Sequence, residues 1–219
     1  MEPFIEESRD VENISNRVKK DGVCIIKNYI NKEDLSQVEK EFENILSLKK
    51  QRLDKSEKNK CLRENIKNLL EYKTIYSYFV NSFVNEISNK TWDKWEYDYV
   101  FIHKDVQNEL TNNTNPHFDF DRKLKFYLCV NDMGLKNGCF KILPGKYDLV
   151  KEKRKKDRRK NIFTPGHKLY NGTEIKMEEM IPVIANGGDL IIFDTNCIHC
   201  GGDKFVDGKN RKVIRLHLK

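Results

Sequence analysis

Pro116-His117-Phe118-Asp119 sets an imidazole and a carboxylate two residues apart near the middle of the chain. In an extended strand, residues i and i+2 project to the same side, so His117 and Asp119 can grip one metal ion together. Asn115-Pro116 marks a loop entering that strand, because the residue before a proline is driven into extended conformations. A ligand pair at a strand mouth has room for a cavity beside it. The complement is a histidine from a distant strand, and His199 lies 82 positions downstream. It follows Asp189-Leu190-Ile191-Ile192-Phe193-Asp194, an apolar run with turn residues after it, so it too stands at a strand mouth. Two histidines and one carboxylate leave half an octahedron open, the ligand pattern of non-heme Fe(II) sites. His-x-Asp is common by chance and a lone histidine is more often structural, so the surrounding elements carry the weight.

Working outward, residues 8–20 place Val11, Ile14 and Val18 at helical spacing, and Gly22-Val23-Cys24-Ile25-Ile26-Lys27 reads as a short buried strand. Asn31, with Asp34 three residues on, caps a helix expected to run to about Leu48. The stretch 50–68 is charged and weakly patterned, and is expected to be a mobile or helical surface segment. Ile75, Phe79, Phe83 and Ile87 predict one helix with an apolar stripe. After Trp92 the texture turns strand-like: 97–103, 124–130, 139–142, 181–184, 189–193 and 212–218, punctuated by Asn137-Gly138, Pro144-Gly145, Asn186-Gly187-Gly188-Asp189 and Asp207-Gly208. Helices first and strands second, without βαβ alternation, predict an α+β fold with a sandwich or barrel core. No repeat or linker divides it, so residues 1–219 read as one domain, helical over about 1–90 and strand-rich over about 92–219.

Composition sets the boundaries. The chain has 219 residues, of which 38% are hydrophobic and 34% charged, enough to build a core. No apolar run approaches the ~20 residues of a membrane helix, and the acidic start Glu2 to Glu7 does not resemble a secretory signal. A cytoplasmic location is therefore expected, with the six cysteines as reduced thiols. Of the formal net charge of +7, the segment Lys151–Lys160 alone carries +6, from eight Lys or Arg against two acids. Such a run is either a solvated helix face or a recognition site for an anionic substrate. No aromatic residue lies within it for base stacking, which argues against nucleic acid.

Arg211, Val213 and Arg215 share one face of the last strand, twelve to sixteen residues after His199. A guanidinium buried near a metal site is costly unless an anion pairs with it, and its fork suits a carboxylate. A metal with open positions beside an arginine implies a small acid that chelates the metal at one end and meets the arginine at the other.

With these features in order, the chain resembles the phytanoyl-CoA dioxygenase-like branch of the Fe(II)/2-oxoglutarate oxygenases over most of its length. Lys20-Asp21-Gly22-Val23-Cys24-Ile25-Ile26-Lys27-Asn28-Tyr29-Ile30 is similar to that family's opening strand, and His117-Phe118-Asp119 to its His-x-Asp. Asn137-Gly138 followed by Pro144-Gly145-Lys146, then Gly188 to Phe193 leading to His199, then Asn210-Arg211, complete the likeness. The resemblance implies a double-stranded β-helix (jelly-roll) core with N-terminal helices packed outside it. It implies His117, Asp119 and His199 as catalytic iron ligands, and Arg211 as the partner of the far carboxylate of 2-oxoglutarate. Tyr127 is implied as an aromatic lining that pocket. The His199-to-Arg211 spacing is one longer than usual, which leaves Arg215 as the fallback, and Gly201 stands where the family often has serine. The implied cofactors are Fe(II), 2-oxoglutarate and O2. The implied activity is a dioxygenase that hydroxylates a small or carrier-borne, possibly anionic, substrate and releases succinate and CO2. The alternative is a cupin-type jelly roll that binds a metal or ligand without turnover.

Two features compete with this reading. Cys197-Ile198-His199-Cys200 crowds sulfur around the distal histidine, but a closed zinc site needs a second ligand pair, and the sequence has none at the required spacing. Cys197 and Cys200 are instead expected to pack beside the site, open to self-oxidation. His217 shares the face of Arg211 and Arg215, where it either lines the pocket or packs in the core.

Overall fold

Leu124, Phe126 and Leu128 alternate with Lys125, Tyr127 and Cys129, and this period of two decides which layer each side chain meets. A computed structural model of the chain describes residues 4–48, 52–53, 60–106, 116–119, 121–159, 175–202, 206 and 209–219. Its elements are β1 (Ile5–Glu6), α1 (Val11–Asp21), β2 (Val23–Ile26), α2 (Lys32–Leu48), β3 (Arg52–Leu53), β4 (Lys60–Glu64), α3 (Lys73–Phe79), α4 (Ser82–Thr91), β5 (Tyr97–Asp105), β6 (Leu124–Cys129), β7 (Lys141–Leu143), α5 (Tyr147–Arg159), β8 (Ile181–Pro182), β9 (Leu190–Asp194), β10 (Ile198–Cys200) and β11 (Arg211–Leu218). A large sheet runs β1-β2-β9-β6-β11-β5-β4-β3 and a small one β10-β7-β8, the two layers of a jelly roll.

The outer face of the large sheet is covered by helices. Leu124, Phe126, Leu128, Ile192, Ile214 and Leu216 pack there against Ile14 and Val18 of α1, Val38 and Phe42 of α2, and Phe79 and Ile87 of α3 and α4. Phe42, Phe79 and Phe126 are fully buried, and truncating such a side chain to alanine costs about 3–5 kcal/mol. The inner face carries the other half of each strand. Ile25, Tyr127, Cys129, Ile191, Phe193 and Val213 meet Phe140, Ile142 and Val183 from the small-sheet side.

Local sequence explains the helix ends. Asp10 accepts from the amides of Glu12 and Asn13 at 2.9 and 3.2 Å to start α1, and Gly22 ends it in the left-handed region at φ 84°. A Cβ at Gly22 would sit 2.6 Å from Cβ of Cys197, so only glycine fits under that residue. Asn31 caps α2 as expected, accepting from the Asp34 amide at 2.8 Å.

Three expectations need correction. The predicted helix over 75–87 is two helices, because Asn81 accepts from the Val84 amide at 2.9 Å and starts α4 afresh. Within the segment 50–68, expected to be mobile or helical, Lys60–Glu64 is instead a strand bonded to β5 along its length, with Leu62 buried among the helices, and a single 3-10 turn begins at Ile66; residues 50–51 and 54–59 lie outside the described residues. Among the described residues, the strand expected around His117 and Asp119 is a single antiparallel bridge between His117 and His199. Of the polar segment 145–180, residues 147–159 form α5, and residues 160–174 lie outside the described residues. Among the described residues, no helix is long and apolar enough to cross a membrane.

Candidate metal centre

The bridge between His117 and His199 is reciprocal. The His117 amide donates to the His199 carbonyl at 2.9 Å and the His199 amide to the His117 carbonyl at 2.8 Å. In an antiparallel ladder, directly opposed residues place their side chains close together, and the two imidazole centroids are 4.4 Å apart. Asp119, two residues on, brings Oδ1 to 3.5 Å from His199 Nε2. One ligand atom from each of the three lies within 4.8 Å of the others, the group among the described residues best placed to hold an ion.

Two of the three candidate ligands, His199 and Asp119, are held from behind. His199 Nδ1 lies 2.9 Å from the Cys197 carbonyl. A carbonyl only accepts, so Nδ1 carries the proton and the Nε2 lone pair is directed at the site. Lys125 Nζ pairs with Asp119 Oδ2 at 2.6 Å. Burial alone would raise the Asp119 carboxyl, but Lys125 and His199 outweigh it and hold the group well below the usual carboxylate range. Arg154 of α5 reaches beneath the loop: Nη2 and Nε donate to the Asp119 carbonyl at 3.0 and 3.3 Å, and Nη1 to Asn196 Oδ1. A half-buried, ionised carboxylate and a buried histidine with its lone pair turned inward are the donors a divalent metal with N/O preference takes.

The cysteines stay outside this group. Cys197 Sγ donates to the Leu143 carbonyl at 3.4 Å, and burial pushes its thiol up to about 12. Cys200 packs with Phe118, Val150 and Ile198 in an apolar cluster.

The two arginines of β11 have different surroundings. Arg211 pairs with Asp105, Nη2 and Nε lying 2.7 and 3.1 Å from Oδ2, and Nη1 donates to the Gly138 carbonyl. Arg215 stacks between the rings of Phe101 and Tyr127, at 5.3 and 5.4 Å, and Nη2 touches His103 Nε2. Its Nε is buried without a hydrogen-bond partner, and no carboxylate among the described residues lies within salt-bridge distance of it. Burial works against its charge, yet Tyr127 and Asp105 keep the guanidinium protonated. His217 lines the same face, its ring 4.7 Å from Phe101 and its Nε2 also unpartnered.

Lys125 and Arg154 escaped the sequence reading. The alternation that buries Phe126 and Leu128 on the helix side also turns Lys125 and Tyr127 inward, a signal that was present. Arg154 stands one helical turn after the buried Val150, so one member of the basic run faces the protein rather than solvent.

Solved structures with this architecture include the epimerase SnoN in complex with Fe3+, alpha ketoglutarate and nogalamycin RO, at TM-score 0.66 and 13% identity over 95% of this chain and 82% of that one. The non-heme alpha ketoglutarate dependent carbocyclase SnoK from nogalamycin biosynthesis gives 0.69 and 11%, over 94% and 83%. AviO1 from Streptomyces viridochromogenes Tue57 gives 0.60 and 12%, over 97% and 96%. Identities this low establish the shared fold. No curated protein sequence matches the chain. The profile of the phytanoyl-CoA dioxygenase (PhyH) family matches residues 56–205, from just before β4 to beyond β10. That span holds His117, Asp119 and His199 and stops short of both β11 arginines, and on it the chain belongs to the phytanoyl-CoA dioxygenase family.

Proposed function

We propose that the protein is an Fe(II)/2-oxoglutarate-dependent dioxygenase that hydroxylates a small or carrier-borne substrate, with His117, Asp119 and His199 as the iron ligands. The observation that carries this reading is the convergence of three ligand atoms within 4.8 Å on the inner face of a jelly roll, on the same face of the large sheet as Arg215, a half-buried arginine that no carboxylate among the described residues pairs with. Bound iron would supply activation of O2 coupled to oxidative decarboxylation of 2-oxoglutarate to succinate and CO2.

The chain's own residues do the rest. The Cys197 carbonyl orients His199, Lys125 keeps Asp119 ionised, and Phe193, edge-on to His199 at 5.2 Å, shields the site from water. The far carboxylate of the cosubstrate falls to Arg215 rather than Arg211. The fork of Arg211 already holds Asp105, whereas Arg215 is a half-buried cation with a buried, open Nε–H, the situation an incoming carboxylate relieves. Tyr127, against that guanidinium, forms one wall of the pocket.

The test is anaerobic titration of the Fe(II)-loaded protein with 2-oxoglutarate, followed by its visible charge-transfer band and then by succinate release in air. Arg215→Met is expected to weaken 2-oxoglutarate binding by about a hundredfold, the loss of one charge-assisted pair, and Arg211→Met by much less. Absence of the band in the wild-type protein, with metal bound, would instead identify a cupin-type binding protein.

A further inference from the structure

Cys61, His103, Asp105 and Arg215 meet on three adjacent strands, with Cys61 of β4 directly opposite His103 of β5. Cys61 Sγ lies 2.7 Å from His103 Nε2. On the other side of that ring, Nδ1 faces Asp105 Oδ1 at 3.8 Å. Arg215 Nη2 reaches the same Nε2 that Cys61 touches. A thiol proton and a guanidinium N–H are thus aimed at one lone pair. The conflict ends when the sulfur gives up its proton and becomes an acceptor. Accessibility singles out the same residue, since Cys61 is half-buried while Cys24, Cys129, Cys139, Cys197 and Cys200 are all buried.

We infer that Cys61 is a modification site, a nucleophilic thiol that reacts with alkylating electrophiles and peroxides, and that its oxidised form takes the guanidinium of Arg215 away from the cosubstrate. The second clause rests on Arg215 as the 2-oxoglutarate anchor; the first does not. With hydrogen peroxide, the sulfur attacks one oxygen, an S–O bond forms and the O–O bond breaks. The thiol proton ends on the departing hydroxide, which leaves as water. Sulfur is oxidised to a sulfenic acid and the peroxide is reduced. A second equivalent of peroxide gives the sulfinate and another water. The sulfinate brings a full negative charge to Arg215, which no described carboxylate meets within salt-bridge distance, and a charge-assisted pair there competes with a carboxylate for the same donors.

The test uses the full chain loaded with Mn(II), which holds 2-oxoglutarate without turnover. Brief iodoacetamide treatment followed by peptide mass spectrometry is expected to label Cys61 at least about tenfold faster than the five buried cysteines, as reactivity follows access and activation. His103→Leu, which removes the contested acceptor, should reduce that advantage to what exposure alone gives. Peroxide treatment is expected to weaken 2-oxoglutarate binding by calorimetry about tenfold or more, the size of one lost ion-paired contact. Cys61→Ser should show no change on the same treatment, and Cys61→Asp should reproduce the weakening without peroxide. Equal labelling of all six cysteines, or a peroxide effect that persists in Cys61→Ser, overturns the inference. A chain that binds Mn(II) but no 2-oxoglutarate, with Cys61 still labelled first, refutes the anchor role of Arg215 and leaves the reactive thiol standing.

Discussion

His103 is held neutral by its surroundings, and this makes the fold sensitive to mild acid. Burial lowers its pKa from the ordinary 6.5 to about 4, with Arg215 adding to the effect against a smaller opposing pull from Asp105. The side chain is 19% exposed, so little of this is screened by water. The sign follows from proton counts: between pH 6.5 and 4 the unfolded chain binds a proton at this site that the folded chain refuses, so stability falls as pH falls. A displacement of this size corresponds to ~2 kcal/mol lost at pH 5 relative to pH 8, and ~3 kcal/mol at pH 4. His217, also held well below its usual value by burial and then by Lys125, adds a loss of the same sign. The depressed carboxyls of Asp105 and Asp119 act in a lower window, since their stabilisation is present above the unfolded pKa near 4 and disappears only below it. Urea unfolding of the metal-free protein at pH 8, 6.5, 5 and 4.5 measures the slope directly. His103→Gln keeps a neutral acceptor and is expected to lose the share of the slope due to one proton. Identical slopes in the variant and the wild-type protein would refute this account of His103.

Lys125→Met removes the cation that keeps Asp119 ionised, so the pH at which the metal is released on acidification should move upward, as read by metal-binding titrations across pH 4 to 7. Arg154→Met should leave the urea midpoint nearly unchanged but weaken Co(II) affinity about tenfold to a hundredfold, the range for groups that orient ligands from behind. Gly22→Ala places a methyl against Cys197 in a left-handed backbone position, where the conformational cost alone is ~1–2 kcal/mol. Its thermal midpoint should fall, and its metal affinity with it, since the Cys197 carbonyl orients His199.

The candidate metal ligands were legible because the chemistry proposed for them needs particular residue types in a particular order. His117, Asp119 and His199 announce themselves through spacing and through the strand that ends at Asp194. The proposed cosubstrate anchor was less legible. Spacing from His199 favours Arg211, but its partner Asp105 lies 106 residues earlier in the chain, and only the tertiary fold pairs them. Strand β4 was hidden because four of its five residues are charged or half-exposed, leaving Leu62 as its single buried anchor. The break between α3 and α4 was also obscured, since Ile75, Phe79, Phe83 and Ile87 keep helical phase across it. The asparagine cap at Asn81 was the local clue, and the apolar stripe outvoted it.

The rung that joins His117 to His199 belongs to the small sheet through β10, while Asp119 is tied to the large sheet by its ion pair with Lys125 of β6. An ion seated among the three would clasp one layer to the other. Loading should therefore slow amide exchange in β7 and β10 well beyond the immediate contacts, and stripping the metal should loosen that layer as a unit. Because the two imidazoles ride on a shared backbone rung, their spacing is set by the ladder itself, while the place of Asp119 depends on the two residues that lead out of it and on Lys125.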